Sequence, residues 1–208
     1  MRILFLGGSP APISKSSVLL NYVYQWLTQE GIEAITVRVS DFDADALINA
    51  NFHHPDIKHF ITQLESVDGV VVAAPVYKAS YPGGLKALFD LLPERALENK
   101  VVLPLMTAGS NSHLLALDYS LKPVLGVLKA EEIISGVYAC DSQIEYGNKA
   151  GDKTTEPTIS AEIRSRLDQN IRAFFRAVQR RPLQIKPLQT RSSEIKSSPL
   201  LSAVGEIK

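Results

Sequence analysis

Five short apolar stretches rich in β-branched residues recur along the chain, and a segment with helix-like spacing of apolar residues follows each one. The stretches are Arg2–Leu6, Glu33–Ser40, Asp68–Ala74, Lys100–Thr107 and Glu131–Ala139. Three of them are almost uninterrupted in apolar residues, a pattern that is typical of strands covered on both faces. We therefore interpret all five stretches as β-strands.

The segments that follow the strands place their apolar residues on one face of a helix. In residues 15–31 this face is formed by Val18, Leu19, Tyr22, Val23, Trp26 and Leu27. Gly31 has the position of a C-terminal cap. Further helices are predicted in residues 55–67, 83–97, 113–130 and 159–181. The alternation of strands and helices predicts an α/β protein, a flavodoxin-like three-layer sandwich around a five-stranded parallel sheet of order 2-1-3-4-5.

The composition changes after residue 181. Residues 1–181 have the length of one domain, and we predict that they form a single flavodoxin-like unit. Residues 182–208 contain three prolines and five serines and show little hydrophobic periodicity. We interpret residues 182–208 as a flexible C-terminal tail.

The charge balance and the single cysteine narrow the class of protein. Lysine plus arginine and aspartate plus glutamate number 22 each, so the formal net charge is zero. This balance argues against nucleic-acid binding and makes self-association easier. We expect a homo-oligomer, either a homodimer or a homotetramer. Cys140 is the only cysteine, so an internal disulfide is excluded, and we expect its side chain to be buried. Because no apolar run is long enough for a signal peptide or a membrane helix, we expect a cytoplasmic protein without membrane contact.

Three loops with unusual composition follow strands that the predicted order places side by side. They are Gly7–Ser17 after the first strand, Pro75–Gly84 after the third and Thr107–His113 after the fourth, and all are rich in glycine, serine, threonine or proline. In open α/β sheets, ligands bind beyond the carboxyl ends of adjacent strands. The sequence therefore predicts one ligand site that these three loops form together.

The first of these loops has donors suited to a phosphate group. The hydroxyls of Ser14, Ser16 and Ser17, together with the amides at the start of the next helix, can stabilise an anion, and Lys15 adds a positive charge. The loop matches neither GxxxxGK[ST] nor GxGxxG, which makes a dinucleotide pyrophosphate less favoured. Ser14 alone is equally well explained as a helix N-cap.

The second loop is typical of a support for a flat ring. After Pro75, the backbone of Val76, Tyr77 and Lys78 leaves the strand and can offer N–H and C=O groups to the edge of a heterocycle. Lys78 can place positive charge near a ring that becomes anionic on reduction, or it can be a solvated surface lysine. Tyr81 is better explained as a residue that packs the loop onto the core.

The sequence contains no recognisable acid–base or metal machinery. A GxSxG motif is absent, and His53, His54 and His59 lie in one stretch without cysteine or a carboxylate cluster, so we interpret them as surface residues. If the protein is an enzyme, a bound cofactor is therefore expected to perform the chemistry.

Over residues 1–181 the sequence resembles the NADPH-dependent FMN reductases of two-component alkanesulfonate monooxygenase systems. The resemblance is carried by "GGSPAPISKSS", by "AAPVYKASYPGGLKALFDLLPERAL" with "KVVLPL", and by "HLLALDYSLKPVL". It implies that FMN and NADPH bind at the predicted loop site, that hydride passes directly between them without a catalytic side chain, and that reduced FMN leaves for a flavin-dependent monooxygenase. The implied cofactor-binding residues are Ser9, Ser14, Lys15, Ser16, Ser17, Pro75, Val76, Tyr77, Lys78, Ala79, Thr107, Gly109 and Ser110.

The same resemblance implies a role for Tyr119 that sequence pattern alone does not give. Tyr119 lies among leucines in a segment that also contains Pro123, which is typical of a core tyrosine in a kinked helix. In the family, a tyrosine here is similar to a one-residue insertion that forms a π-bulge at a subunit interface. The resemblance therefore predicts that Tyr119 affects oligomeric state and flavin release.

One residue departs from the family pattern. Related first loops commonly have arginine directed at the phosphate where this chain has Ala11. Lys15 is a point charge rather than a bidentate fork, so weaker FMN binding is expected. Two alternatives share the fold: a quinone, azo or metal reductase that retains FMN, and a flavodoxin-type electron carrier, against which the zero net charge argues. The residues do not decide between NADPH and NADH.

Overall fold

A parallel sheet organises the computed structural model, which describes residues 1–146 and 157–180. Its strands are β1 Arg2–Gly7, β2 Glu33–Arg38, β3 Gly69–Pro75, β4 Val101–Ala108, β5 Glu132–Ile133 and β6 Val137–Cys140. They lie in the order β2-β1-β3-β4-β5, and β6 also pairs with β4. A small antiparallel pair joins β7 Ile144–Glu145 to β8 Thr158–Ile159. The predicted flavodoxin-like order 2-1-3-4-5 is confirmed, with β5 and β6 together forming the fifth strand.

Helices cover both faces of the sheet. They are α1 Lys15–Gln29, α2 Ala44–Ile48, α3 Pro55–Glu65, α4 Gly83–Asp90, α5 Lys122–Val127 and α6 Ala161–Gln179. The helices α1 and α6 bury one set of alternating strand residues, which includes Val71, and α3, α4 and α5 bury the other set, which includes Val72. The predicted three layers are therefore present, with β3 and β4 buried on both faces.

The fifth strand is interrupted where the sequence predicts one continuous strand. Ile133 pairs with Val102 and Val137 pairs with Leu105, so three residues on this strand oppose two on β4. Pro104 of β4 has no amide hydrogen to continue the ladder. Gly136 adopts φ +83° beside it, and a Cβ there would lie 2.5 Å from the Pro104 carbonyl oxygen. This bulge divides the strand into β5 and β6.

The helix predicted in residues 113–130 is not continuous either. It begins as a short 3₁₀ turn at Asn111–His113, becomes a π-helix at Leu117–Leu121 and then continues as α5. Tyr119 lies within the π-helix and exposes 78% of its surface. The π-bulge implied at this position is present, whereas the interpretation of Tyr119 as a core residue is wrong.

Several smaller expectations can be compared with the structure. Gly31 adopts φ +77° and follows α1 in a Schellman motif, in which the amides of Gly31 and Ile32 donate to the carbonyls of Thr28 and Leu27. Cys140 is buried, as expected. No helix in residues 1–146 and 157–180 is long and apolar enough to cross a membrane. The tail predicted in residues 182–208 lies outside the described residues.

Candidate functional site

Strand register brings the three predicted loops to one edge of the sheet. Gly7 at the end of β1 pairs with Ala73 of β3, and Pro75 at the end of β3 pairs with Thr107 of β4. The amide of Val76 extends this edge by donating to the Thr107 carbonyl at 2.7 Å. The loops after β1, β3 and β4 therefore leave the sheet side by side.

Close packing fixes where the first loop begins. The amide of Gly8 donates to the Ala73 carbonyl at 2.7 Å. A Cβ at Gly8 would lie 2.5 Å from a methyl carbon of Leu85 in α4 and 3.3 Å from the Ala73 carbonyl. Glycine allows this close approach between the loop and α4 without displacing the Leu85 side chain. Two residues later the loop turns outward, and the buried hydroxyl of Ser9 accepts from the amide of Ala11 at 3.2 Å.

Three serine hydroxyls lie close together at the N-terminus of α1. Ser14 is the N-cap, and its Oγ accepts from the Ser17 amide at 3.1 Å. The same oxygen lies 2.9 Å from Ser16 Oγ and 2.7 Å from Ser17 Oγ. The amides of Lys15 and Ser16 precede the first intrahelical bond of α1, so no helix carbonyl can accept from them. Ser14 thus caps the helix and also belongs to a cluster of donors suited to an anion.

The Lys15 ammonium reaches across to the end of β6. Its Nζ donates to the Asp141 backbone carbonyl at 2.5 Å and lies 4.0 Å from Asp141 Oδ2. The side chain of Lys15 is 24% exposed and that of Asp141 48%. Sequence reasoning missed Asp141, because only the fold brings residues that are 126 positions apart into contact.

The second loop makes a tight left-handed turn. Tyr77 and Ser80 exchange backbone hydrogen bonds of 2.7 and 3.1 Å. Between them, Lys78 and Ala79 have φ of +50° and +66°. Positive φ at both central residues is the signature of a type I′ turn, which usually contains asparagine and glycine. Strained backbone of this kind is concentrated at functional sites.

The two tyrosines of the second loop have different environments. Tyr81 is buried against Phe89 with the rings 6.1 Å apart, and burial, with a smaller contribution from Asp90, raises its pKa. The interpretation of Tyr81 as a packing residue is confirmed. Tyr77, Lys78 and Ala79 are exposed, so their side chains and the turn backbone are accessible to a ligand.

The third loop is held by side chains from β6. Thr107 is buried, whereas Gly109 and Ser110 are exposed beyond the end of β4. The Tyr138 hydroxyl donates to the Ser110 carbonyl, and burial raises the pKa of that hydroxyl. The Cys140 thiol donates to Asn111 Oδ1 at 3.0 Å. Neither contact could be inferred from sequence spacing.

Most of the sequence-predicted residues therefore share one edge. Hydroxyl, amide and ammonium donors lie at the start of α1, and the exposed turn and third loop follow β3 and β4. This donor chemistry suits a phosphate group at one end and a flat ring at the other, so the residues fit FMN, which the resemblance implies. Tyr119 is separate, since it belongs to the π-helix beyond the third loop.

Of the three histidines in residues 53–59, His54 has a structural role. Its ring nitrogen accepts from the Asp56 amide and caps α3.

Comparison with known proteins agrees with this geometry. A family model described as NADPH-dependent FMN reductase matches residues 1–145. FMN reductase (NADPH) of Pseudomonas putida strain KT2440 is 45% identical over 182 residues, covering 88% of this chain and 90% of the relative. FMN reductase (NADPH) of Escherichia coli K12 is 46% identical over 186 residues, covering 89% and 94%.

A solved structure shows the same architecture. The apo form of an NADH:FMN oxidoreductase, EMOB, superimposes with a TM-score of 0.75 at 31% identity and covers 87% of this chain and 91% of that one. The fold, the family model and near-full-length relatives all agree. The chain therefore belongs to the NADPH-dependent FMN reductase family and is an oxidoreductase that takes FMN as cofactor or substrate and NADPH as electron donor.

Proposed function

We propose that this reductase binds FMN at the edge formed by β1, β3 and β4 and releases it in reduced form to a flavin-dependent monooxygenase of the alkanesulfonate type. The proposal rests chiefly on the donor set of the first loop. That loop contains Lys15 as its only charged residue and has Ala11 where related loops commonly have arginine. Such a set recognises a phosphate without the bidentate fork that arginine would add.

The phosphate of FMN is assigned to the start of α1. Ser14, Ser16 and Ser17 contribute hydroxyls, and Ser14 Oγ lies within 3 Å of each of the other two. The first amides of α1 contribute the positive end of the helix dipole. The hydrogen bond from the Ala11 amide to the Ser9 hydroxyl stabilises the bend of the loop before α1. These residues bind and orient the ligand.

The isoalloxazine ring is assigned to the backbone of Pro75–Ala79 and to Thr107, Gly109 and Ser110. Bound FMN supplies the hydride acceptor and NADPH the hydride, so the transfer itself requires no acid–base side chain. Because Tyr77 and Ser80 bond to each other, the backbone groups that the strained turn would present to the ring are those of Lys78 and Ala79. The exposed Lys78 side chain would supply positive charge to a ring that becomes anionic on reduction.

Flavin exchange is assigned in part to the surface around Tyr119. Leu114, Leu115 and Tyr119 expose 45%, 61% and 78% of their surfaces, which is an uncommon grouping of large apolar side chains in a monomer. We propose that this surface forms a subunit contact in a homodimer or homotetramer. A π-helix at an interface next to the third loop couples oligomeric state to flavin exchange.

Dialysis followed by an activity assay tests the proposal. The purified protein is dialysed until free flavin is removed, and its flavin absorbance is recorded. NADPH and NADH oxidation are then measured with added FMN, FAD or riboflavin. We expect a colourless protein that oxidises NADPH only when flavin is added. Persistent yellow colour would instead identify a reductase that retains FMN, and no oxidation of either nucleotide with any flavin would refute the proposal.

A further inference from the structure

We propose that Asp141 is a positioning residue that weakens the hold of the first loop on the FMN phosphate by pairing with Lys15. This inference rests on the proposed function, because it assumes that the phosphate binds at the start of α1. Asp141 lies outside all three predicted loops, immediately after β6. Its effect on the ligand is exerted mainly through the Lys15 ammonium, with a smaller contribution from direct repulsion of the phosphate.

The contact between the two residues is direct. Lys15 Nζ donates to the Asp141 carbonyl at 2.5 Å and lies 4.0 Å from the carboxylate Oδ2. The lysine is three-quarters covered, while the aspartate is half exposed. The ammonium is thus anchored by the backbone of residue 141, and the carboxylate adds a counter-charge that is not needed for anchoring.

Helix electrostatics explain why a counter-charge is present. Lys15 is the first residue of α1, where the positive end of the helix dipole disfavours a cation, and the first turn contains no acidic residue. Asp141, which follows β6, supplies the negative charge that the first turn of α1 lacks. With the carboxylate in place, Lys15 and Asp141 together carry no net charge. The serine hydroxyls and helix amides therefore contribute most of the attraction for a phosphate.

Removing the carboxylate charge therefore strengthens phosphate binding. In Asp141→Asn the backbone carbonyl still anchors Lys15, but the ammonium has no competing anion and the phosphate dianion meets no repulsion from residue 141. For charges at a partly solvated surface we expect FMN affinity to rise about three- to tenfold. Riboflavin, which has no phosphate, is expected to bind with unchanged affinity. The dissociation rate of FMN should fall by a similar factor.

The experiment is a fluorescence titration of the flavin-free protein with FMN and with riboflavin. Wild type, Asp141→Asn, Asp141→Glu, Lys15→Ala and the double variant Lys15→Ala/Asp141→Asn are compared at one ionic strength. Glu132→Gln is the matched control, since it removes one negative charge at the opposite end of the sheet, where β5 begins. FMN dissociation is followed by stopped flow, and the KM for FMN and kcat are determined separately.

We expect Asp141→Asn to raise the affinity for FMN, but not for riboflavin, and to lower the KM for FMN. Asp141→Glu should keep the wild-type affinities, and Glu132→Gln should leave the affinities for both flavins unchanged. The gain should be smaller when Lys15 is already alanine. Unchanged or weaker FMN binding in Asp141→Asn would overturn the inference, as would equal effects on FMN and riboflavin. These results differ from failure of the proposed function, which would appear as absence of flavin-dependent NADPH oxidation in the wild type.

Discussion

Replacing Ala79 by glycine tests the left-handed turn that borders the proposed ring site. Ala79 has φ +66°, and backbone hydrogen bonds between Tyr77 and Ser80 close the turn around it. Its side chain is exposed, so removal of the methyl group leaves no cavity in the core. The substitution therefore changes backbone preference and little else.

The expected gain follows from two opposing terms. A residue with a Cβ in the left-handed region is disfavoured by about 1–2 kcal/mol. Glycine avoids this cost, but in the unfolded chain it has more freedom to lose, which opposes folding by about 0.5–1 kcal/mol. With the middle of each range, the difference is a net stabilisation of about 0.75 kcal/mol. For a domain of this size the Tm should rise by about 1–4 °C.

Thermal unfolding of flavin-free protein, followed by far-UV circular dichroism, measures the effect. Ala173→Gly provides a matched control, since Ala173 is exposed in the interior of α6. There the same substitution should destabilise the protein by about 1 kcal/mol because glycine is a poor helix former. The two variants lose the same atoms, so opposite changes in Tm isolate the contribution of backbone conformation.

A lower Tm for Ala79→Gly, similar to that of Ala173→Gly, would refute the reasoning. It would show that Ala79 does not occupy the left-handed region in solution and that the turn is built differently. Flavin titration of the same variant supplies a second check. Because glycine maintains the turn, FMN affinity should remain within about twofold of wild type, a difference of roughly 0.4 kcal/mol.

Three further predictions concern the first loop and the π-helix. Lys15→Ala should weaken FMN binding about three- to tenfold but leave riboflavin unchanged, as measured by fluorescence titration; equal effects would remove the phosphate role of Lys15. Gly8→Ala should destabilise the protein by about 1–3 kcal/mol in denaturant unfolding, because its methyl group overlaps Leu85. In a Leu85→Ala background, where that buried side chain is already shortened, the same Gly8→Ala change should cost less, and an equal cost in both backgrounds would contradict the packing. Deletion of Tyr119 should convert the π-helix to α-helix, lower the oligomeric state in light scattering and increase flavin retention after dialysis. An unchanged oligomer that still loses flavin would contradict its role.

The strands, the helices and their order were predictable because burial gives them periodic sequence patterns. The strands β3 and β4 are buried on both faces and appear as continuous apolar runs. The order 2-1-3-4-5 then places the three loops at one edge, so their convergence could be predicted without knowledge of any side-chain contact. The π-helix around Tyr119 was implied by the family resemblance rather than by the pattern of apolar residues.

Features that depend on contacts between distant segments could not be predicted in this way. The break between β5 and β6 arises where Pro104 lies opposite Gly136, and each residue alone is compatible with a continuous strand. The turn at Lys78 and Ala79 contains neither asparagine nor glycine, so turn propensities do not reveal it. Asp141 is near Lys15 only because β6 ends beside α1.

Calorimetric titration of the flavin-free wild type with FMN and with riboflavin, in one buffer, tests most directly whether the first loop binds the flavin phosphate. The two ligands share the ring system and differ only in the phosphate that we assign to Ser14, Ser16, Ser17 and the start of α1. We predict that FMN binds at least about tenfold more tightly, a difference of about 1.4 kcal/mol. Equal affinities for FMN and riboflavin would contradict this assignment.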